Sequence, residues 1–302
     1  MAFRTALFFL AVVSGCGTVH VQYPAGLPRP KIVTIQLYAS LVHDRSTGRD
    51  VRRYNGVLAM EAGCLKAAMS AGQAVSVYRG STSSETESTI TFFNDSIDPR
   101  RAADETGADA IITGTARLTP RSARVEELTM EAVSPGGRKL AQADFSNGDG
   151  AEPFEAGEQT CRELFRGWGP PTLSPAPRAA PRSVYVLGGT NEPGEALRDG
   201  CAKSVQSAGL KVIASIASTS AVPRGYQTVW KRLAWETGAD SFIATQGAFP
   251  LDGAPQVAEA LVWLTDASGI VQNGSFFDGA GSVRDPASVG LDLCRKVLAG
   301  PR

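Results

Sequence analysis

A chain of 302 residues, 43% hydrophobic, is long enough for two ordinary domains that each bury a core. Thirty basic residues balance thirty acidic ones, and no basic stripe with interleaved aromatics occurs, which argues against a nucleic-acid partner. After the first 16 residues no apolar run approaches the roughly 20 residues of a bilayer span, so any membrane attachment is expected from the N-terminus.

The chain opens MAFRTALFFLAVVSGCG. Arg4 supplies a positive start, residues 6–13 an apolar stretch of signal-peptide length, and Ser14 and Gly15 lead into Cys16. Residues 1–15 therefore read as an export signal. V-S-G-C resembles the lipobox of bacterial lipoprotein precursors, in which the thiol is alkylated with diacylglycerol before cleavage. That resemblance implies a mature chain beginning at a triacylated Cys16 and held by several acyl chains. Gly17 after the cysteine, by likeness to enterobacterial sorting, points to the outer membrane, with the domains facing the periplasm. Residues 16–30 read as an extended, lipidated tether.

The rest of the chain contains itself twice. GCLKAAMSAG (63–72) matches GCAKSVQSAG (200–209), RRAADETGADAIITG (100–114) matches KRLAWETGADSFIAT (231–245), and QTCRELFRG (159–167) matches DLCRKVLAG (292–300). The shared order marks a duplicated domain, copy one at 31–167 and copy two at 182–302. Residues 168–181 join them, and the prolines of this stretch favour a semi-rigid extended linker.

Within copy one, KIVTIQLYASL (31–41) is a β-branched first strand, followed by a helix carrying Cys64 and stopped by Gly72. AVSVYR is a second strand, a short helix ends at Gly107, and ADAIITGTARL is a third strand. SARVEELTMEAV and KLAQADF flank PGG (135–137) as a hairpin, and a last helix carries Cys161. Copy two repeats the series: RSVYVLGG, the Cys201 helix stopped by Gly209, LKVIASIAS, a helix ending at Gly238, ADSFIATQGAF, a hairpin around ASG (267–269), and the Cys294 helix. The fold class is thus α/β (α+β), two tandem copies of a mixed-sheet domain with helices packed on it.

This pattern, and T-G-A-D-A-I-I-T-G at 106–114 above all, resembles the small α/β domain shared by the curli-secretion channel lipoprotein, the lipoprotein activators of penicillin-binding proteins and the amino-terminal domain of TolB. Those families have different functions, so the resemblance implies envelope assembly or regulation and nothing narrower.

Four cysteines recur at equivalent helix positions, and the exported compartment is oxidising. Disulfides Cys64–Cys161 and Cys201–Cys294 are expected, against the alternative of buried free thiols. The two histidines, His20 and His43, have no partner at metal-ligand spacing, and no C-x-x-C or nucleophile elbow occurs, so no metal, cofactor or catalytic residue is assigned. LGGTNEPGE (187–195) lacks the lysine and glycine spacing of a phosphate loop and reads as a strand-to-helix turn. Asp109 and Asp240 read as backbone-bonding residues at a strand entrance, and Arg101 and Arg232 as solvated or paired with an acid. Trp230, Trp235 and Trp263, confined to copy two, read as core or as a partner surface.

The function expected is a non-enzymatic envelope lipoprotein that binds or helps assemble an envelope protein complex or a cell-wall or polysaccharide machine. The rival readings are a hydrolase using acids such as Asp144 and Asp149, although Gln272 stands in for such an acid in copy two, and a passive coat protein. Each copy is further expected to fold alone.

Overall fold

The computed structural model describes residues 17–23, 29–37, 40–44, 49–53, 56–78, 98–119, 124–169, 180–189, 191–213, 228–249, 256–279 and 284–300. Residues 1–15 expected to be an export signal, Cys16, most of the proline-rich linker and the divergent stretches 79–89 and 215–227 lie outside these residues.

Each repeat folds into the same mixed sheet. In the first, β2 (Ile32–Leu37) is flanked in parallel by β5 (Ala74–Ser76) and β6 (Ala110–Leu118), and β7 (Val125–Val133) and β8 (Lys139–Ala151) continue antiparallel. In the second, β9 (Ser183–Leu187) is flanked in parallel by β10 (Lys211–Ile213) and β11 (Ser241–Ala248), followed by β12 (Glu259–Asp266) and β13 (Val271–Asp278). The order β5-β2-β6-β7-β8 thus recurs as β10-β9-β11-β12-β13. Two parallel neighbours need helical crossovers, supplied by α1 (Val57–Ser70) and α2 (Pro99–Thr106), and again by α4 (Glu192–Ser207) and α5 (Val229–Thr237). The last helices, α3 (Pro153–Gly167) and α6 (Pro286–Ala299), lie against α1 and α4.

Copy one carries additions that the reading of its sequence omits. Of the expected 16–30 tether, the described residues 17–23 and 29–30 are fastened to the first repeat. Thr18–Gln22 is a strand, β1, paired antiparallel with β8 from Thr18 opposite Ser146 to Gln22 opposite Gln142. The Tyr23 hydroxyl donates to the Leu164 carbonyl at 2.6 Å and accepts from Gly167 N at 3.1 Å, and Arg29 Nε donates to Gln73 Oε1 at 3.0 Å. Of the expected 31–41 strand, Ile32–Leu37 is β2, and Ser40–Asp44 is β3, which pairs with β6 and with β4 (Arg49–Arg53), placing His43 opposite Asp50.

The repeats are not beads on a linker. Helix α1 is buried on nearly every side, which an amphipathic surface helix cannot be. One side packs on the first sheet and the other on β12 and β13, so the helix is held between the two sheets. A single apolar cluster accordingly joins Leu65, Val77 and Met130 of copy one to Trp230, Phe242, Leu261 and Trp263 of copy two. The opposite face of the second sheet (Val184, Ile243, Val262) packs on α4 and α6. Both faces of β12 are therefore covered, and its sequence runs apolar through ALVWL. Strand β7, VEELTMEAV, alternates instead, burying Leu128, Met130 and Ala132 while Glu127 is exposed and Thr129 and Glu131 are half-buried.

Candidate functional site: the helix pairs, the repeat junction and the open sheet face

The cysteines sit where paired helices touch. Gly63 and Gly157 face each other across α1 and α3: a Cβ on Gly63 would strike the Phe154 carbonyl oxygen, and one on Gly157 the Met60 carbonyl oxygen. Gly200 against the Ala287 carbonyl and Gly290 against the Leu197 carbonyl repeat this contact between α4 and α6. Such backbone approach puts the next inward side chains within bridging range. Cys64 and Cys161 lie at disulfide distance with Cα atoms 5.1 Å apart, and Cys201 and Cys294 with Cα atoms 5.2 Å apart. The signal is the glycine one residue before the first cysteine and four before the second, present in both copies.

The repeated aspartates serve the strand entrances. Asp109 Oδ2 accepts from the amides of Lys31 and Ile32, both at 3.0 Å, and Asp240 accepts from Arg182 N and Ser183 N at 3.1 and 3.2 Å. They bond the backbone of the neighbouring strand rather than their own. Each follows a glycine that ends the preceding helix with positive φ, Gly107 at 72° and Gly238 at 68°. Arg101 pairs with Glu105 at 3.0 Å, and Arg232 with Glu236 at 4.0 Å, one helical turn away in each copy. In the 187–195 stretch Asn191 caps α4, accepting from Gly194 N at 3.1 Å.

The tryptophans divide. Trp230 and Trp263 belong to the core shared by the repeats, whereas Trp235 is exposed on α5. Trp230 is fully buried, its ring seated over Gly269 in the β12–β13 turn, and its Nε1–H donates to the Val77 carbonyl at 2.9 Å. Ser76 and Ile270 form an isolated antiparallel bridge at the same junction.

Two buried carboxyls that the sequence reading did not single out stand around the start of α1. Glu61, on α1, accepts from Leu37 N at 2.8 Å where β2 ends, and burial pushes its pKa up to about 8. Glu259 of copy two accepts from Gly56 N at 2.7 Å and from the Ala59 backbone, so a side chain of one repeat caps a helix of the other. Burial, with the Asp278 charge on the adjacent strand, raises its pKa to about 7 despite those amides.

The sheet face away from α1 and α3 is polar. Asp144 stands opposite His20 on one side and Thr129 on the other, accepting from Thr129 Oγ1 at 2.9 Å and from Gln142 Nε2 at 2.8 Å. Glu131 is ion-paired with Lys139, and Thr115 and Arg117 extend the face along β6. Among the described residues the packing on this face is the small cluster of α2 with Ile111, Tyr78 and Val133. Asp149 lies apart on an exposed stretch of β8, its amide bonded to Asn147 Oδ1 at 3.1 Å. Gln272 donates to Asp266 Oδ2 at 2.9 Å within the second hairpin. Among the described residues no group of three or more His, Cys, Asp or Glu is arranged to hold a metal ion, and no helix is long and apolar enough to cross a membrane.

No family model matches the chain, and comparison with curated proteins gives no match. Among solved structures, part of the chain is similar to lipoprotein GNA1162 from Neisseria meningitidis, at 18% identity and a TM-score of 0.26, over 39% of this chain and 82% of that one. A likeness at this level carries no functional weight. The α/β fold with two tandem mixed-sheet repeats rests on the sheets themselves.

Proposed function

We propose that the protein is an envelope lipoprotein, anchored through acylated Cys16 in the outer membrane and facing the periplasm. There it acts without catalysis as a binding or assembly factor for an envelope protein complex or a cell-wall or polysaccharide machine. The observation that carries this reading is the apolar run closing on V-S-G-C, followed by a body whose four other cysteines stand in two pairs at disulfide distance. Paired cysteines suit an oxidising, exported location.

The duplication supports a binding role. One copy's sheet face is consumed in holding the other copy, while the equivalent face of copy one is built from Thr, Gln, Asp and Glu. A polar outer face ends a stack of repeats and leaves hydrogen-bonding groups for a partner. In-cell crosslinking followed by pull-down of the wild-type chain tests the reading. Defined, stoichiometric envelope partners are expected; turnover of a cell-wall or glycan substrate by the purified protein, or self-assembly alone, contradicts it.

A further inference from the structure

Lipoproteins with a flexible leader sample a range of distances from the bilayer, and the sequence of residues 16–30 suggests such a leader. Gly17 to Tyr23 are instead held against the first repeat. The Gly17 carbonyl accepts from Gln159 Nε2 of α3 at 2.7 Å. A Cβ at Gly17 would collide with the Phe145 ring and stand 2.8 Å from the Ser146 carbonyl oxygen, so the backbone lies flat on the domain. From Thr18 the chain is a paired strand, and Tyr23 ties its far end to the last turn of α3. Consecutive Cα atoms are about 3.8 Å apart, so an acyl group on Cys16 stands one residue from a fixed point of the body.

We propose that the first repeat rests directly on the lipid headgroup surface. Its contact region is the end of the first sheet where β1 begins: Ser146, the exposed Gly148–Asp149 stretch of β8, and the start of α3. This rests on acylation of Cys16. The occupant of that end is the bilayer itself, because the chain between lipid and domain has no length to admit anything else. The opposite end, the β7–β8 turn with Arg138, then points away from the membrane. At about 3.4 Å per residue it lies roughly 25 Å further along β8 than Ser146. The open polar face stands between the two ends and is held at a set height above the bilayer.

The test uses the full-length, exported protein, purified with its N-terminus intact and reconstituted into phosphatidylethanolamine–phosphatidylglycerol vesicles carrying a nitroxide on a fraction of the headgroups. A fluorophore on an unnatural amino acid is placed at Asp149 or, in a second variant, at Arg138. Quenching at Asp149 several-fold stronger than at Arg138 is expected. A spacer of about fifteen Gly/Ser residues between Cys16 and Gly17, with an r.m.s. span of roughly 20 Å, should reduce it to the Arg138 level. The mass of the N-terminal peptide, read on the same samples, separates the two claims. Acylated protein with equal quenching at both positions, or quenching that ignores the spacer, overturns the direct contact. Protein without acyl chains overturns the lipoprotein reading and the contact with it.

Discussion

The indole N–H of Trp230 in the second repeat donates to the carbonyl oxygen of Val77 in the first, at 2.9 Å, in a place where neither residue meets solvent freely. Around that bond the two copies share apolar side chains that an independent domain would leave uncovered. The repeats are consequently expected to unfold together. Trp230→Phe removes the donor and should cost about 1–3 kcal/mol by leaving a buried carbonyl short of a partner. Trp230→Ala should cost about 3–5 kcal/mol. Fluorescence and far-UV circular dichroism in urea should give one coincident transition in each variant. Two separated transitions would show that the copies are autonomous. The expectation that each copy folds alone does not fit this core, and residues 182–302 expressed alone should aggregate or stay partly unfolded.

Glu61 and Glu259 make stability fall as pH rises. A carboxyl whose folded pKa lies above its unfolded value keeps a proton that the unfolded chain gives up, so folding is favoured most below about 4.5 and loses ground up to the folded value. For Glu61 the window runs from 4.5 to about 8, and for Glu259 from 4.5 to about 7. At 1.36 kcal/mol per pH unit across these two windows, the combined effect is on the order of 8 kcal/mol. Glu61→Gln keeps an oxygen for the Leu37 amide and cannot ionise. It should match the wild type in thermal stability near pH 5 and exceed it near pH 8; an unchanged pH slope would contradict the assignment.

The glycine contacts between helices predict a sharp contrast. Gly157→Ala places a methyl against the Met60 backbone and should cost about 1–3 kcal/mol through overpacking. Gly136→Ala, where the nearest atom to a new Cβ is Ser134 Oγ at 3.9 Å, should be close to neutral. Urea midpoints for the two variants check this.

Peptide mapping without reductant should recover Cys64 joined to Cys161 and Cys201 joined to Cys294. The bridges close loops with sequence separations of 97 and 93, so removing either should cost up to about 4–5 kcal/mol in the chain-entropy model. Alkylation of all four thiols in unreduced protein would contradict the pairing.

Repetition made much of this molecule legible before its structure. Matching GC and ETGAD segments placed equivalent helices and strands, and the same sheet order emerges in both copies. Asp109 and Asp240 held the structural place their recurrence suggested. What escaped were features with weak local signals. Strand β1 lies in a proline-containing stretch and pairs only through a partner more than a hundred residues away. RDVRR forms β4 despite its charge. The junction between the copies was written in the unbroken apolar run ALVWL, set against the alternation of VEELTMEAV, but that contrast acquires meaning only once both faces of β12 are seen to be covered. Glu61 and Glu259 carry no local signal in the sequence, since burial is a property of the packed whole.

The mass of the mature N-terminal peptide, taken from protein extracted from the envelope, tests the central claim most directly. The account predicts a peptide beginning at Cys16, carrying three acyl chains and continuing Gly17-Thr18-Val19, with Cys16→Ser shifting the protein out of the membrane fraction. A peptide that still contains residues 1–15, or an unmodified Cys16 in protein that pellets with membranes, would contradict it.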